Sequence, residues 1–106
     1  TGSAGCISAF ANVFPKTVVH IYKLFTSGKQ QEALELQRKA ALAESPCKAG
    51  IASTKFAVAV YSAVEAGVQD AEEKLKPRKP YAVAPEGVKR NIRELMAGIA
   101  EVEASL

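Results

Sequence analysis

The run Gly2-Ser3-Ala4-Gly5-Cys6-Ile7-Ser8-Ala9-Phe10-Ala11-Asn12-Val13-Phe14-Pro15 constrains this chain more than any other part of it. Residues 6 to 11 are apolar or small and lack the polar alternation of a strand with one wet face. Such a stretch reads as a strand covered on both sides, the kind found in parallel sheets wrapped by helices. Pro15 follows, and its fixed φ and missing N–H suit the first position of a helix. No later stretch reads as a second strand of this type, so the strand's partners are missing. The chain opens on Thr1 and has its only methionine at Met96, and it therefore reads as a piece of a larger protein.

The rest of the sequence is patterned for helices. Phe14, Val18, Ile21 and Phe25 recur at helical spacing, and Gly28 is placed to end that helix in the left-handed conformation. A second helix is expected over residues 29 to 44, with Ala33, Leu36, Ala40 and Ala43 on one face and Glu35 and Lys39 set for an i,i+4 pair. Ser45-Pro46 stops it, because the residue before a proline is pushed out of the helical region. A third helix, residues 53 to 66, carries no charge on any face from Phe56 to Val64, which predicts burial all round and an end at Gly67. The connection from Val68 to Ala84 is polar and broken by Pro77 and Pro80, with brief coiling expected between residues 69 and 75. The last helix opens at Pro85 and shows an apolar stripe of Val88, Ile92, Leu95, Ile99 and Val102, which leaves Lys89, Arg90, Arg93, Glu94, Glu101 and Glu103 facing outward. The sum is mainly α: one strand followed by four helices.

A chain of 106 residues is one domain or less. Its net charge of +3 is small, and its Lys and Arg alternate with Glu along helices, which is not the pattern of a nucleic-acid binder. The basic run Lys74, Lys76, Arg78 and Lys79 reads as loop charge. Cys6 and Cys47 stand without a disulfide framework and point to a reducing compartment. No apolar run approaches the roughly 20 residues that a membrane span requires, no secretory signal is visible, and no residues have metal-ligand spacing. His20, the only histidine, falls off the apolar stripe of its helix and reads as a solvent or interface residue. Lys55 sits at a helix start, within reach of water, and reads as structural rather than as a reactive amine. A buried parallel strand leading into a helix puts its C-terminal end where α/β proteins build their sites. That makes Ile7, Ser8, Ala9 and Asn12 the candidates, although Ser8 and Asn12 equally suit backbone capping at the turn.

The strand run resembles the last barrel strand of the dihydrodipicolinate synthase and N-acetylneuraminate lyase family, the class I aldolases that form a Schiff base with pyruvate or a related 2-oxo acid. Leu24 to Gly28 followed by Ala33-Leu34-Glu35-Leu36-Gln37 is similar to that family's next helix pair, and Gly50 to Lys55 to its following helix start. The resemblance implies the C-terminal portion of a (β/α)8 TIM barrel: residues 1–28 as the eighth βα unit and 29–106 as a helical extension. It also implies that the Schiff-base lysine lies upstream and that no catalytic residue, cofactor or metal ligand belongs to this chain. The substrate-binding position carried over is Ile7, through its backbone carbonyl, with Ser8 and Ala9 bordering the site. Ala9 stands where sialic acid lyases have a substrate-binding serine, and a methyl cannot make that hydrogen bond. The run Ala9-Phe10-Ala11-Asn12-Val13 is nearest the 4-hydroxy-2-oxoglutarate aldolase branch, with dihydrodipicolinate synthase next. The implied partners are the remainder of the barrel, a 2-oxo acid and further copies in a homo-oligomer, a tetramer by resemblance, with no nucleic acid and no membrane. The implied compartment is the cytoplasm or the mitochondrion. The competing reading is a non-enzymatic helical bundle serving as an interaction module, with residues 1 to 13 as a docking arm.

Overall fold

A computed structural model describes residues 2–106. They form helices α1 (Pro15–Thr26), α2 (Gln30–Glu44), α3 (Ile51–Val58), α4 (Ala71–Lys74) and α5 (Glu86–Ser105). Two 3-10 turns, Ala9–Asn12 and Ser45–Ala49, precede α1 and follow α2. Beyond α3 the helix continues through a π-helical segment, Ala59–Ala63.

Proline and glycine set most helix limits as the sequence predicts, but Ser45, expected to leave the helical region before Pro46, keeps a helical backbone at φ −51, ψ −37, and the chain runs on into the second 3-10 turn. Pro15 is the first residue of α1. At its other end Gly28 has φ +85, its N–H donates to the Phe25 carbonyl, and the Lys29 N–H donates to that of Leu24. Those two bonds satisfy carbonyls the helix would leave open, and the positive φ is what glycine tolerates. Gly67, at φ +78, closes the α3 segment by the same pair of bonds, to Val64 and Ala63. The short connection Ser27–Lys29 folds α2 back on α1, and α5 lies across α1, α2 and α3. Where these helices meet, Val13, Phe14, Ile21, Ala40, Phe56, Ile92, Met96 and Ile99 form a continuous core. The Phe14 ring sits 5.3 Å from that of Phe10 and 5.1 Å from that of Tyr61.

Four further expectations are corrected. No strand forms among the described residues: residues 2–8 are irregular, and 9–12 belong to the 3-10 turn. A strand is a hydrogen-bonded partnership, and this chain offers residues 6 to 8 no neighbour, although Ser8 keeps an extended backbone at φ −136, ψ 137. The α3 segment is not buried all round, since Ile51 and Val64 are exposed and Val58, Val60 and Tyr61 only half-buried. The chain has nothing to lay against that side. On α5 the stripe is rotated: Met96 is 0% exposed and Leu95 43%, so the inward set is Ile92, Met96, Ile99 and Glu103. Glu35 accepts a hydrogen bond from Gln31 Nε2 at 3.0 Å instead of pairing with Lys39.

The molecule measures 45 × 26 × 23 Å, with a radius of gyration of 14.3 Å. A compact chain of this length would come to about 13 Å, and the exposed arm of residues 2–7 accounts for part of the excess.

Candidate functional site

Polar groups converge where the N-terminal arm turns into α1. Ser8 is the N-cap of the 3-10 turn: its Oγ accepts from the Phe10 N–H at 3.2 Å and donates to Glu44 Oε1, at the end of α2, at 2.9 Å. Asn12 Nδ2 donates to the Ala9 carbonyl at 3.3 Å, and the Asn12 carbonyl accepts from Ser62 Oγ at 3.0 Å. Ser62 lies in the π-helical segment, an irregularity that re-aims side chains locally. Next along the chain, Glu103 of α5 meets the start of α1. Its Oε1 accepts from the Lys16 N–H at 2.9 Å, and its Oε2 from the Thr17 N–H at 2.6 Å and the Thr17 hydroxyl at 2.7 Å. Successive points of the turn, residues 8, 12 and 16–17, are thus held by α2, the α3 segment and α5.

Beside this turn the arm and the α1–α2 pair enclose an open groove of about 800 Å³, whose walls include Gly5, Ser8, Val18, Tyr22, Phe25 and Glu44. Ile7, at the groove's edge, has a fully exposed side chain, and its carbonyl makes no hydrogen bond among the described residues. Ala9 is exposed as the first residue of the 3-10 turn. The structure thus brings Ile7, Ser8, Ala9 and Asn12 together at one end of the arm, and Ser8 and Asn12 do cap the turn's backbone there.

The remaining candidates lie elsewhere. Lys55 is half-buried and lines a separate cleft of about 90 Å³ between α3, α4 and α5 with Glu72, Lys76 and Lys89. His20 is half-buried on α1 and does not line the groove. The basic loop is exposed, and its Lys76 pairs with Glu73 at 2.6 Å. Lys89 and Arg93, expected to face outward, stand over the Phe56 ring, 5.2 and 4.9 Å from its centroid. Burial, with the Glu44 charge acting the same way, raises the Cys47 thiol above its ordinary 9.0 against an opposing Thr54 hydrogen bond. Cys47 is therefore a packed thiol rather than a nucleophile. Among the described residues, no group of three or more His, Cys, Asp or Glu could hold a metal, and no helix is long and apolar enough to cross a membrane.

Sequence reasoning missed Glu44, Ser62 and Glu103. Glu44 carried one signal, a carboxylate on the last residue of a helix, where the dipole disfavours it. Glu103 carried another, continuing the Ile92, Met96, Ile99 register by a further step of four.

No family model matches the chain. It is 63% identical, over 99% of its length, to a Coccidioides immitis (strain RS) protein named "Putative 4-hydroxy-2-oxoglutarate aldolase, mitochondrial", of which it spans 33%. A protein of Hypocrea jecorina named "L-threo-3-deoxy-hexylosonate aldolase" is 31% identical over 69% of this chain and 30% of that protein. The chain thus spans about a third of the length of the relatives it matches. Its backbone superposes with a TM-score of 0.92 on a crystal structure of "a putative dihydrodipicolinate synthase family protein from Coccidioides immitis", at 61% identity and covering 99% of this chain and 34% of that one.

Proposed function

Because the chain belongs to the dihydrodipicolinate synthase family, we propose that it is the C-terminal part of a Schiff-base-forming aldolase acting on pyruvate or a related 2-oxo acid. Residues 1–28 are then the eighth βα unit of a TIM barrel, and 29–106 its helical extension. The observation that carries this reading is 63% identity, sustained over 105 residues, with a relative named as an aldolase for 4-hydroxy-2-oxoglutarate. A lysine upstream of this chain supplies the amine that attacks the 2-oxo acid's carbonyl carbon, and the carbon–carbon bond is made or broken through the resulting enamine. The chain's own contribution is the Ile7 carbonyl facing the substrate and lysine, with Ser8 and Ala9 on the site's border. Two features support that role: the carbonyl has no partner among the described residues, and the turn behind it is held at three points. Ala9 offers no hydroxyl for a sialic acid, which favours the hydroxy-oxoglutarate type of substrate. The arm pairs with neighbouring strands in the whole barrel, and the protein works as a homo-oligomer in the mitochondrion or cytoplasm.

Borohydride reduction in the presence of pyruvate tests this reading. The full-length protein containing these residues is expected to take up one covalent adduct at an upstream lysine, and this chain none. An adduct on Lys55, or on any other lysine of residues 1–106, overturns the assignment.

One observation favours a second reading, a non-enzymatic helical interaction module. The core from Phe10 to Ile99 is closed by the chain's own helices, without the arm.

A further inference from the structure

Glu44 occupies a place that α2 by itself disfavours. It is the last residue of that helix, where the negative end of the dipole opposes a carboxylate. The compensation is its hydrogen bond from Ser8 Oγ at 2.9 Å. A serine hydroxyl has a single proton to give. With that proton committed to Glu44, the oxygen's lone pairs are turned to the Phe10 N–H, the bond that starts the 3-10 turn. Ser8 is thereby fixed in its extended conformation, φ −136 and ψ 137. The peptide joining Ile7 to Ser8 is planar, so the φ of Ser8 sets the direction in which the Ile7 carbonyl points.

We propose that Glu44 is a positioning residue, which aims the Ile7 backbone carbonyl at the 2-oxo acid by locking the Ser8 hydroxyl. The inference rests on the aldolase reading for its substrate, but the lock itself concerns only residues 7–10 and 44. Glu44 touches no reacting atom. It acts as a hydrogen-bond acceptor, and glutamine, whose amide oxygen accepts equally, is expected to replace it.

The test uses the full-length protein containing this chain, with Glu44→Ala and Glu44→Gln compared in two measurements. In the first, amide hydrogen exchange at Phe10 and Ala11 is expected to quicken about tenfold in Glu44→Ala, the effect of losing about 1.4 kcal/mol of local stability, and to stay near the parent value in Glu44→Gln. In the second, the KM for pyruvate, followed with the rate of borohydride-trapped adduct, is expected to rise about tenfold in Glu44→Ala, with less change in kcat and rescue by Glu44→Gln. Unchanged exchange in Glu44→Ala overturns the lock. Faster exchange with an unchanged KM overturns the positioning role, as does a Glu44→Gln variant as impaired as Glu44→Ala. If the unsubstituted protein traps no 2-oxo acid, the aldolase reading and the substrate named here fall, and the exchange measurement still decides whether Glu44 holds the turn.

Discussion

Helix α1 begins behind Phe14, an N-cap whose side chain offers its free amides no acceptor, and Glu103 supplies that acceptor from the far end of the chain. Its carboxylate sits where the helix dipole is positive and takes two backbone N–H groups and one hydroxyl, so a charge that is only 4% exposed is fully partnered. Glu103→Ala is expected to destabilise this chain by about 3 kcal/mol, because three donors lose their acceptor inside the protein. Glu103→Gln, which keeps one oxygen but turns an amino group towards donors, is expected to cost about 2 kcal/mol. Urea denaturation checks both: the midpoint should fall at unchanged slope, and an unmoved midpoint in Glu103→Ala would show the contact to be idle. The sequence could not disclose this residue's role. Glutamate is rarely buried unless paired, and its partner Thr17 is 86 positions away, beyond any local pattern.

Among the elements, helix ends were far more legible than helix faces. Pro15, Gly28, Gly67 and Pro85 act through their own backbone restrictions, and each falls at the limit it predicts. Faces depend on what packs alongside, which is why the stripe of α5 is turned by one residue from Leu95 to Met96. The short α4 was legible only as a tendency to coil, since its docking comes from Ala71 and Leu75 packing on Ala59 and Ala63 and from a pair formed across the fold. Lys89 of α5 bonds Glu72 of α4 and lies 3.4 Å from Glu86. That hydrogen bond holds the Glu72 carboxyl below its ordinary 4.5, with the charges of Lys89, Arg93 and Lys76 acting the same way and desolvation opposing. A carboxyl with a lowered folded-state value stabilises above the unfolded value and loses that contribution as the pH falls through the folded one. Lys89, raised above its ordinary 10.5 chiefly by the same hydrogen bond, loses its contribution only as the pH rises through its own folded value. Docking of α4 is therefore expected to persist at neutral pH and to weaken below about 4.5. Amide exchange at Lys74 and Leu75, corrected for its intrinsic pH dependence, should show severalfold lower protection at acid pH. Equal protection on both sides of that window would remove the pair from the account. High salt should narrow the difference, because the pair is exposed enough to be screened.

At the scale of the whole molecule, two kinds of surface coexist. One is a closed core, with Phe14, Ile92 and Met96 out of water and no buried side-chain polar atom among the described residues left without a partner. The other is a set of exposed apolar side chains on the arm, α1, the end of the α3 segment and the loop before α5, including Ile7, Tyr22, Val64 and Tyr81. Exposed apolar surface of this extent marks interaction faces or invites association. On the aldolase reading, this chain in isolation is expected to self-associate as its concentration rises, which sedimentation velocity or light scattering would register. A monomer with one cooperative melt would instead favour the interaction-module reading. By itself the sequence determined the helical class, most helix limits and the family resemblance, because backbone restriction and short-range spacing act between neighbours along the chain. Tertiary structure alone decided that α5 turns Met96 and Glu103 inward, and that Glu44, Ser62 and Glu103 grip the turn. Those outcomes depend on hydrogen bonds and packing between residues 36 to 87 positions apart, which no local pattern encodes.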